Sequence, residues 1–300
     1  MHCRIRENSY LCSMESSEDR IIIPPLKIQG IKTKLVPWIR QLLTEHNVPC
    51  ERRWIEPFMG SGVVGFNTGR LFSRQLMCDT NPHIVEFYKL LQEGIIDENV
   101  VRYDLREDDK LLREKGESYY RHTREWYNLH HTPATAFLFL SRACFNGMMR
   151  FNSKGEFNVP FCKKPERFSK AYITKICNQV RAVRETISTG DWQFQTQDFR
   201  TTIQEAVDSD FIYCDPPYFG RHVDYYNGWT ENDESDLAEL LTETPAKFIL
   251  STWHHNDYRE NEMIAKYWNR FNIVTHEHFY HVGARESNRR GVTEALIFNF

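Results

Sequence analysis

Phe211-Ile212-Tyr213-Cys214-Asp215-Pro216-Pro217-Tyr218 is the stretch on which the fold turns. Four apolar residues in a row suit a strand buried on both faces, and the acid, the two prolines and the ring that follow bring it to an end. In open α/β sheets, ligands bind at the carboxyl ends of such strands. An acceptor carboxylate, a stiff Pro-Pro pair and an aromatic ring at that place suit gripping the amino group of a flat base and stacking on its face. A plain strand-ending turn is the competing reading, since proline after aspartate is ordinary punctuation.

The residue types fit methylation of an exocyclic amine. Such an amine is a poor nucleophile because its lone pair is delocalised into the ring. Hydrogen bonds from its two N–H groups to the Asp215 carboxylate and to a backbone carbonyl, assigned to Pro216, would favour a pyramidal nitrogen with a localised lone pair. The prolines have fixed φ and no N–H, so the carbonyl is held and no rival donor enters. Tyr218 would stack on the base.

Upstream, Trp54-Ile55-Glu56-Pro57-Phe58 reads as a strand, and Met59-Gly60-Ser61-Gly62-Val63-Val64-Gly65 as a glycine turn opening a helix. Asp79 follows the next expected strand, Gln75-Leu76-Met77-Cys78, where a carboxylate can accept hydrogen bonds from ribose hydroxyls. Gly60, Gly62 and Gly65 followed by Asp79 also satisfy the dinucleotide fingerprint, so an NAD-dependent oxidoreductase is a rival. A cofactor without pyrophosphate needs only the sharp turn and the acidic clamp, and Asp215 to Tyr218 supplies the acceptor site that a methyltransferase requires. Asp79 has a structural alternative as the N-cap of a helix over Pro82 to Glu93.

Glu56-Pro57-Phe58-Met59-Gly60-Ser61-Gly62, then Asp79, a long insertion and Asp215 to Tyr218 resemble the Dam-type DNA adenine-N6 methyltransferases. That group carries the cofactor motif first, target recognition in the middle and the acceptor motif last. The likeness runs deepest over Phe145-Asn146-Gly147-Met148-Met149-Arg150-Phe151-Asn152-Ser153-Lys154-Gly155-Glu156-Phe157-Asn158-Val159-Pro160-Phe161, which matches the family's DNA-reading hairpin almost position by position. The resemblance implies S-adenosylmethionine as cofactor, with Lys27, Gly30, Glu56, Pro57, Phe58, Gly60, Gly62, Asp79 and Asp198 in its site. It implies Asp215, Pro216 and Tyr218 as the catalytic group, and double-stranded DNA as partner. Phe145 would wedge beside an extruded adenine, and Asn146, Met148, Arg150, Asn152, Lys154 and Pro160 would contact the DNA. Lys27 and Gly30 come from Pro24 to Lys34, which stands where the family has a Trp-Ala-Gly-Gly-Lys type of run but carries Ile28, Gln29 and a single glycine. Asp198 has an alternative as the cap of a helix over Thr201 to Ala206. A site with a G and an adjacent A is implied, GATC first, and a housekeeping role and a place beside a cognate restriction endonuclease both stay open.

The hairpin is also legible by itself. Arg150-Phe151-Asn152 and Glu156-Phe157-Asn158-Val159 alternate in character and are joined by Ser153-Lys154-Gly155, whose glycine permits positive φ. A two-stranded ribbon fits the DNA major groove, where Arg reads guanine and Asn reads adenine. The net charge of −3 argues against indiscriminate polyanion binding, yet residues 110–190 hold 15 Lys and Arg against 6 Asp and Glu, and the rest of the chain 23 against 35. That asymmetry predicts a basic face on an acidic body. Arg142, Lys154, Lys163, Lys164, Arg167, Lys170 and Lys175 are the expected phosphate contacts.

These landmarks predict a Rossmann-like α/β methyltransferase sheet over 21–94 and 191–300, interrupted by a mainly helical recognition domain over 95–190, behind a polar tail over 1–20. Further elements are expected at Leu35 to Glu45 (helix), Thr135 to Ala143 (helix, with Phe137, Leu138 and Leu140 inward), Trp192 to Gln195 (strand), Glu234 to Leu241 (helix), Phe248 to Trp253 (strand), Tyr258 to Trp268 (helix), and Asn272 to His276 and Thr293 to Phe298 (strands). Eight cysteines without a C-x-x-C pair read as reduced thiols of a cytoplasmic protein. No apolar run nears the roughly 18 residues of a membrane span. Thr275-His276-Glu277-His278, with His281 beyond, alternates like an exposed strand, and no metal is expected. A monomer is expected. Pro49-Cys50 precedes the glycine turn, so it cannot serve as a cytosine-C5 nucleophile. Cytosine-N4 enzymes typically carry Ser in place of Asp215, RNA amine methyltransferases usually Asn, and a non-catalytic DNA-binding module would need neither motif intact.

Overall fold

In the computed structural model, which describes residues 20–218, 228–279 and 291–300, a seven-stranded sheet runs in the order β3-β2-β1-β4-β5-β7-β6. The strands are β1 (Arg53–Glu56), β2 (Arg74–Asp79), β3 (Asp191–Thr196), β4 (Asp210–Cys214), β5 (Lys247–Asn256), β6 (Asn272–Phe279) and β7 (Gly291–Phe298). β7 enters antiparallel between β5 and β6, and the pairings from β3 through to β5 are parallel. The sheet is Rossmann-like, and its order reverses between β1 and β4. Residues 1–19 of the polar tail, His281 of the histidine group, and Arg221, His222, Asn288, Arg289 and Arg290, which the sequence leaves open between DNA contact and solvated surface, lie outside the described residues.

Period-two alternation assigns the two faces. Trp54, Met77, Phe211, Tyr213, Ile249 and Leu296 are buried on one side, with helices α1 (Val36–Glu45), α2 (Val63–Asn67) and α3 (Pro82–Gln92). Ile55, Leu76, Cys78, Ile212, Leu250 and Ile297 are buried on the other, with α8 (Phe199–Gln204) and α9 (Glu231–Glu243). β4 is buried at every residue, as its apolar run requires, whereas β3 at the sheet edge alternates exposed and buried at its start.

Between β2 and β3 the chain adds α4 (Glu98–Lys115), α5 (Glu117–His130), α6 (Ala134–Ala143) and α7 (Lys170–Ile187). Asp97 caps α4 by accepting from the Asn99 and Val100 amides, and Ser169 caps α7. α6 is buried almost all round, and its Phe137, Leu138, Phe139 and Leu140 join the same apolar core as Trp54 and Phe66 of the sheet side. The hairpin after α6 pairs through the bridges Cys144 with Phe161 and Phe151 with Phe157, and Gly155 sits at φ 76 in its turn.

Two expected elements differ. The helix anticipated from Tyr258 begins only near Glu262 and has π character over Ile264–Trp268, because Asn256 Oδ1 accepts from the Tyr258 and Arg259 amides and closes a turn there instead. The first strand stops at Glu56, where Pro57 and Phe58 already belong to the turn.

Candidate active site and nucleic-acid face

At the carboxyl ends of β1 and β4, where the strand order reverses, the two motifs meet. A cavity of about 340 Å³ is lined by Glu56, Pro57, Phe58, Gly60, Asp79, Asp198, Asp215, Pro216 and Pro217, together with Gly30, Lys32, Asn81, Met149, Tyr213 and Trp229. Its size falls in the range of roughly 300–1,000 Å³ usual for small-molecule sites.

The turn after β1 is folded by its glycines and held by Asp79. Gly60 and Gly62 have φ of 47 and 74, and the space that a side chain at Gly60 would occupy is empty to 4 Å. Asp79 accepts from the Gly60 amide on Oδ2 and from the Asn81 amide on Oδ1, both at 2.8 Å. Burial pushes its carboxyl up to about 6 despite these two bonds. The α3 cap is Asn81, whose Oδ1 accepts from the His83 amide, so Asp79 is not the N-cap that its sequence position allowed. Beneath the turn, Glu56 is 2% exposed and accepts from Trp54 Nε1, and burial drives its carboxyl well above the usual range.

Asp215 stands at the end of β4 with Lys32 Nζ 3.0 Å from its Oδ1. Ser251 of β5 donates to the same oxygen at 2.9 Å, and the Tyr213 hydroxyl lies 2.9 Å from Ser251 Oγ. Burial raises the Asp215 carboxyl, while Lys32 and the hydrogen bonds pull it back down. Lys32 Nζ also lies 4.7 Å from the centre of the Tyr218 ring, and the Tyr218 hydroxyl donates to Glu294 on β7 at 3.4 Å. Asp198 is at the cavity edge but also caps α8, accepting from the Arg200 amide. Arg200 is bound in turn by Asp198, Asp233 and Asp236. Phe58, Phe199 and Trp229 form a ring cluster on the same wall, with centroids 5.2–5.6 Å apart.

Lys27 is not part of this cavity. Its aliphatic chain packs under Gly147, at φ 69 beside Phe145 and Asn146, and burial together with Arg167 lowers its pKa. The lysine at the acceptor carboxylate is Lys32, which sequence reading passed over. The signal lay in Ile28-Gln29-Gly30-Ile31-Lys32, whose last residue falls where the Trp-Ala-Gly-Gly-Lys type of run ends.

The hairpin displays some of its expected readers and occupies others. Phe145 is 49% exposed and Pro160 and Lys154 are exposed, whereas Met148 packs partly on the core. Asn146 has φ 54 in a short 3₁₀ turn. Arg150 Nε donates to Asn158 Oδ1 at 2.8 Å. Asn152 holds the turn, its Oδ1 accepting from the Lys154 and Glu156 amides and its Nδ2 donating to the Glu156 carboxylate. Arg142, expected at phosphates, is instead 6% exposed and donates to the Pro25 carbonyl and to Gln179 Oε1. Arg167 donates to the Arg142 carbonyl and faces the Tyr172 ring, and Lys163, Lys164, Lys170 and Lys175 are exposed.

Among the described residues, no helix is long and apolar enough to cross a membrane, and no group of three His, Cys, Asp or Glu is placed to hold a metal ion. Comparison with known proteins finds the family model of the D12 class N6 adenine-specific DNA methyltransferases matching residues 29–282. The type II methyltransferase M.MjaIII of Methanocaldococcus jannaschii is 27% identical over 92% of this chain and 99% of its own length. The DNA adenine methylase of Vibrio cholerae is 32% identical over 73% of this chain and 76% of its own. The DNA N-6-adenine-methyltransferase of Escherichia phage P1 is 34% identical over 73% of this chain and 30% of its own.

Proposed function

This chain belongs to the D12 class of N6 adenine-specific DNA methyltransferases, and from that membership we propose that it holds S-adenosylmethionine in the cavity beside Asp79 and methylates N6 of an adenine turned out of duplex DNA. The observation that carries the reading is that the glycine turn after β1 and Asp215 after β4 line one cavity at the point where the strand order reverses.

The donor set fits a cationic cofactor without phosphates. Carboxylates of Glu56, Asp79, Asp198, Asp215 and Asp233 line the cavity, and the two cations on its lining, Lys32 and Arg200, are both paired with carboxylates. A pyrophosphate would meet that acidic wall unneutralised, so the dinucleotide reading loses support. The empty side-chain space at Gly60 gives a nucleoside room beside the turn, and Asp79, which lines the cavity, would accept from ribose hydroxyls in addition to the Gly60 and Asn81 amides. Gly30, Pro57, Phe58 and Gly62 shape the walls and the turn, and Asp198 stands near the ring cluster of Phe58, Phe199 and Trp229.

Bound S-adenosylmethionine supplies a methyl group on a sulfonium, and its direct transfer to an amine needs no covalent enzyme intermediate. The Asp215 carboxylate accepts one N6–H and the Pro216 carbonyl the other, leaving the nitrogen lone pair directed at the methyl carbon. Tyr218 stacks on the base, with its ring fixed between Lys32 and Glu294. Transfer would form the N–C bond and break the sulfonium S–C bond, a neutral thioether leaving, and the surplus proton on N6 would pass to Asp215. Base flipping brings the amine to these groups, since they lie in a cavity that a stacked base cannot enter.

The segment 95–190 serves as the recognition domain, with Phe145, Asn146, Met148, Arg150 and Pro160 at the bases and Lys154, Lys163 and Lys164 at phosphates. Asn152 acts by shaping the hairpin turn. The type II names of several relatives support a place beside a restriction endonuclease, and the proposal takes the chain to act as a monomer in the cell interior. GATC is the leading target. Incubation with plasmid DNA and S-adenosylmethionine labelled in the methyl group is expected to put label into N6-methyladenine, and Asp215→Ala is expected to abolish transfer while DNA binding persists. Label in cytosine alone, or no label in DNA, rejects the proposal. Mapping the methylated positions tests GATC.

A further inference from the structure

His83 stands where α3 meets the recognition hairpin. Its ring is stacked on that of Phe151, with centroids 5.0 Å apart and planes 5° from parallel. Its Nδ1 is 2.8 Å from the Tyr127 hydroxyl. A neutral imidazole can accept from that hydroxyl on Nδ1, which a protonated ring could not. Burial, with His131 nearby, keeps the ring neutral by lowering its pKa to about 4.

The residue is equally well tied to the cavity. Its backbone N–H donates to Asn81 Oδ1 at 3.0 Å, the Asn81 N–H donates to Asp79, and Asp79 accepts from Gly60 of the glycine turn. Met149, two residues before Phe151, lines the cavity itself. The hairpin is therefore registered against the same short segment, Asp79 to His83, that holds the glycine turn.

We propose that His83 is a positioning residue for sequence choice, setting where the hairpin stands relative to the acceptor site without touching DNA. The inference rests on the reading under Proposed function. A base contact discriminates only when its side chain arrives within hydrogen-bonding reach, so a hairpin that can rock loses correct contacts and gains tolerance for incorrect ones. Asn146, Arg150 and Pro160 would all shift with it.

The test incubates plasmid DNA of known sequence with S-adenosylmethionine and the wild-type, His83→Ala or His83→Phe chain, and maps methylated adenines by single-molecule sequencing. Affinity for S-adenosylmethionine alone is titrated by tryptophan fluorescence. In His83→Ala, the share of methylation at sites one base removed from the preferred one should rise about tenfold, the scale of one misplaced base contact. Cofactor affinity should stay within about twofold, as His83 does not line the cavity. His83→Phe, which can keep the stack on Phe151 but loses the hydrogen bond to Tyr127, should fall between. An unchanged site spectrum overturns the inference, and so does a uniform loss at all sites, which is what a merely structural residue would give. Should His83→Ala fail to fold, Phe151→Leu opens the same contact from the hairpin side, with the same expected and overturning results. A wild-type chain that methylates no DNA rejects the underlying reading, and this inference with it.

Discussion

Lys32 Nζ lies 3.0 Å from Asp215 Oδ1, and Ser251 Oγ holds that same oxygen at 2.9 Å. Both partners grip one side of the carboxylate, so in the proposed mechanism the acceptor role toward an incoming amine falls to Oδ2. The ion pair also opposes the rise that burial imposes on the Asp215 carboxyl, since an opposite charge at this range favours the ionised form.

A shifted pH profile in Lys32→Met follows. In the proposed mechanism Asp215 must be unprotonated to accept from N6–H, so activity should fall as pH drops through its pKa. Burial already raises that pKa, and Lys32 opposes the rise. Without the lysine the acid limb of kcat should move to higher pH. Initial rates from pH 5 to 9 measure this, and an unmoved limb would show that the lysine does not set the charge of Asp215.

Arg142 and Lys164 should separate under salt. Arg142 is buried and donates to the Pro25 carbonyl and Gln179, so Arg142→Met should lower thermal stability by on the order of 2–4 kcal/mol, through buried acceptors left unpaired. The slope of log K for DNA against log salt should not change. Lys164 is exposed, and Lys164→Ala should make that slope shallower by about 0.9 with little effect on melting. DNA-binding titrations across a salt series, with melting curves on the same samples, distinguish the two. The reverse pattern would return Arg142 to the phosphate face.

Asp108 gives a stability that changes with pH. It accepts from the Tyr119 hydroxyl at 2.6 Å between α4 and α5, and burial raises its carboxyl to about 7. Because the folded pKa lies above the unfolded value near 3.9, the fold binds this proton more tightly than the unfolded chain does. Its contribution is therefore complete below about pH 4 and is lost as pH rises through 7. Asp108→Asn keeps an oxygen for Tyr119 and has no charge to bury. The variant should melt several degrees higher than wild type at pH 8, for a gain on the order of 1–3 kcal/mol, and the gap should close toward pH 4. Calorimetry at the two pH values checks it, and an equal gap at both would refute the assignment.

What could be read from the sequence was what depends on local order along the chain. The run Phe211 to Cys214 followed by Asp215-Pro216-Pro217 marks a buried strand and its end, and the glycines of 60–65 mark a turn, because φ and burial are written into those residue types. What depends on a partner far along the chain was not legible. Arg142 looks like any basic residue until Gln179 and the Pro25 carbonyl close around it, and Lys32 until Asp215, 183 positions later, reaches it. Asp79 and Asn81 are both good caps by type, and only the Gly60 amide decides that Asp79 serves the turn. His83 gave no signal at all, since its ring's partners Tyr127 and Phe151 come from α5 and from the hairpin.

Asn128 offers the cleanest test that the hairpin is held ready before DNA arrives. Its side-chain amide pairs with the backbone of Phe157 as a neighbouring strand would, Nδ2 donating to the Phe157 carbonyl at 3.0 Å and Oδ1 accepting from the Phe157 amide at 2.8 Å. Phe157 is 1% exposed and packs edge-on against Phe151, so both bonds hold a buried ring in place. Asn128→Ala leaves a buried donor and a buried acceptor without partners, at about 1–3 kcal/mol each. Asn128→Asp keeps an acceptor for the Phe157 amide but sets a carboxylate oxygen against its carbonyl, so it should be no milder than alanine. Both variants should melt at least about 4 °C below wild type, and DNA affinity should fall while affinity for S-adenosylmethionine holds, because Asn128 is remote from the cavity lining. Melting curves with paired DNA and cofactor titrations measure all three quantities. A variant that melts lower but binds DNA as tightly as wild type would mean that the hairpin is shaped by DNA on contact, not by α5 beforehand.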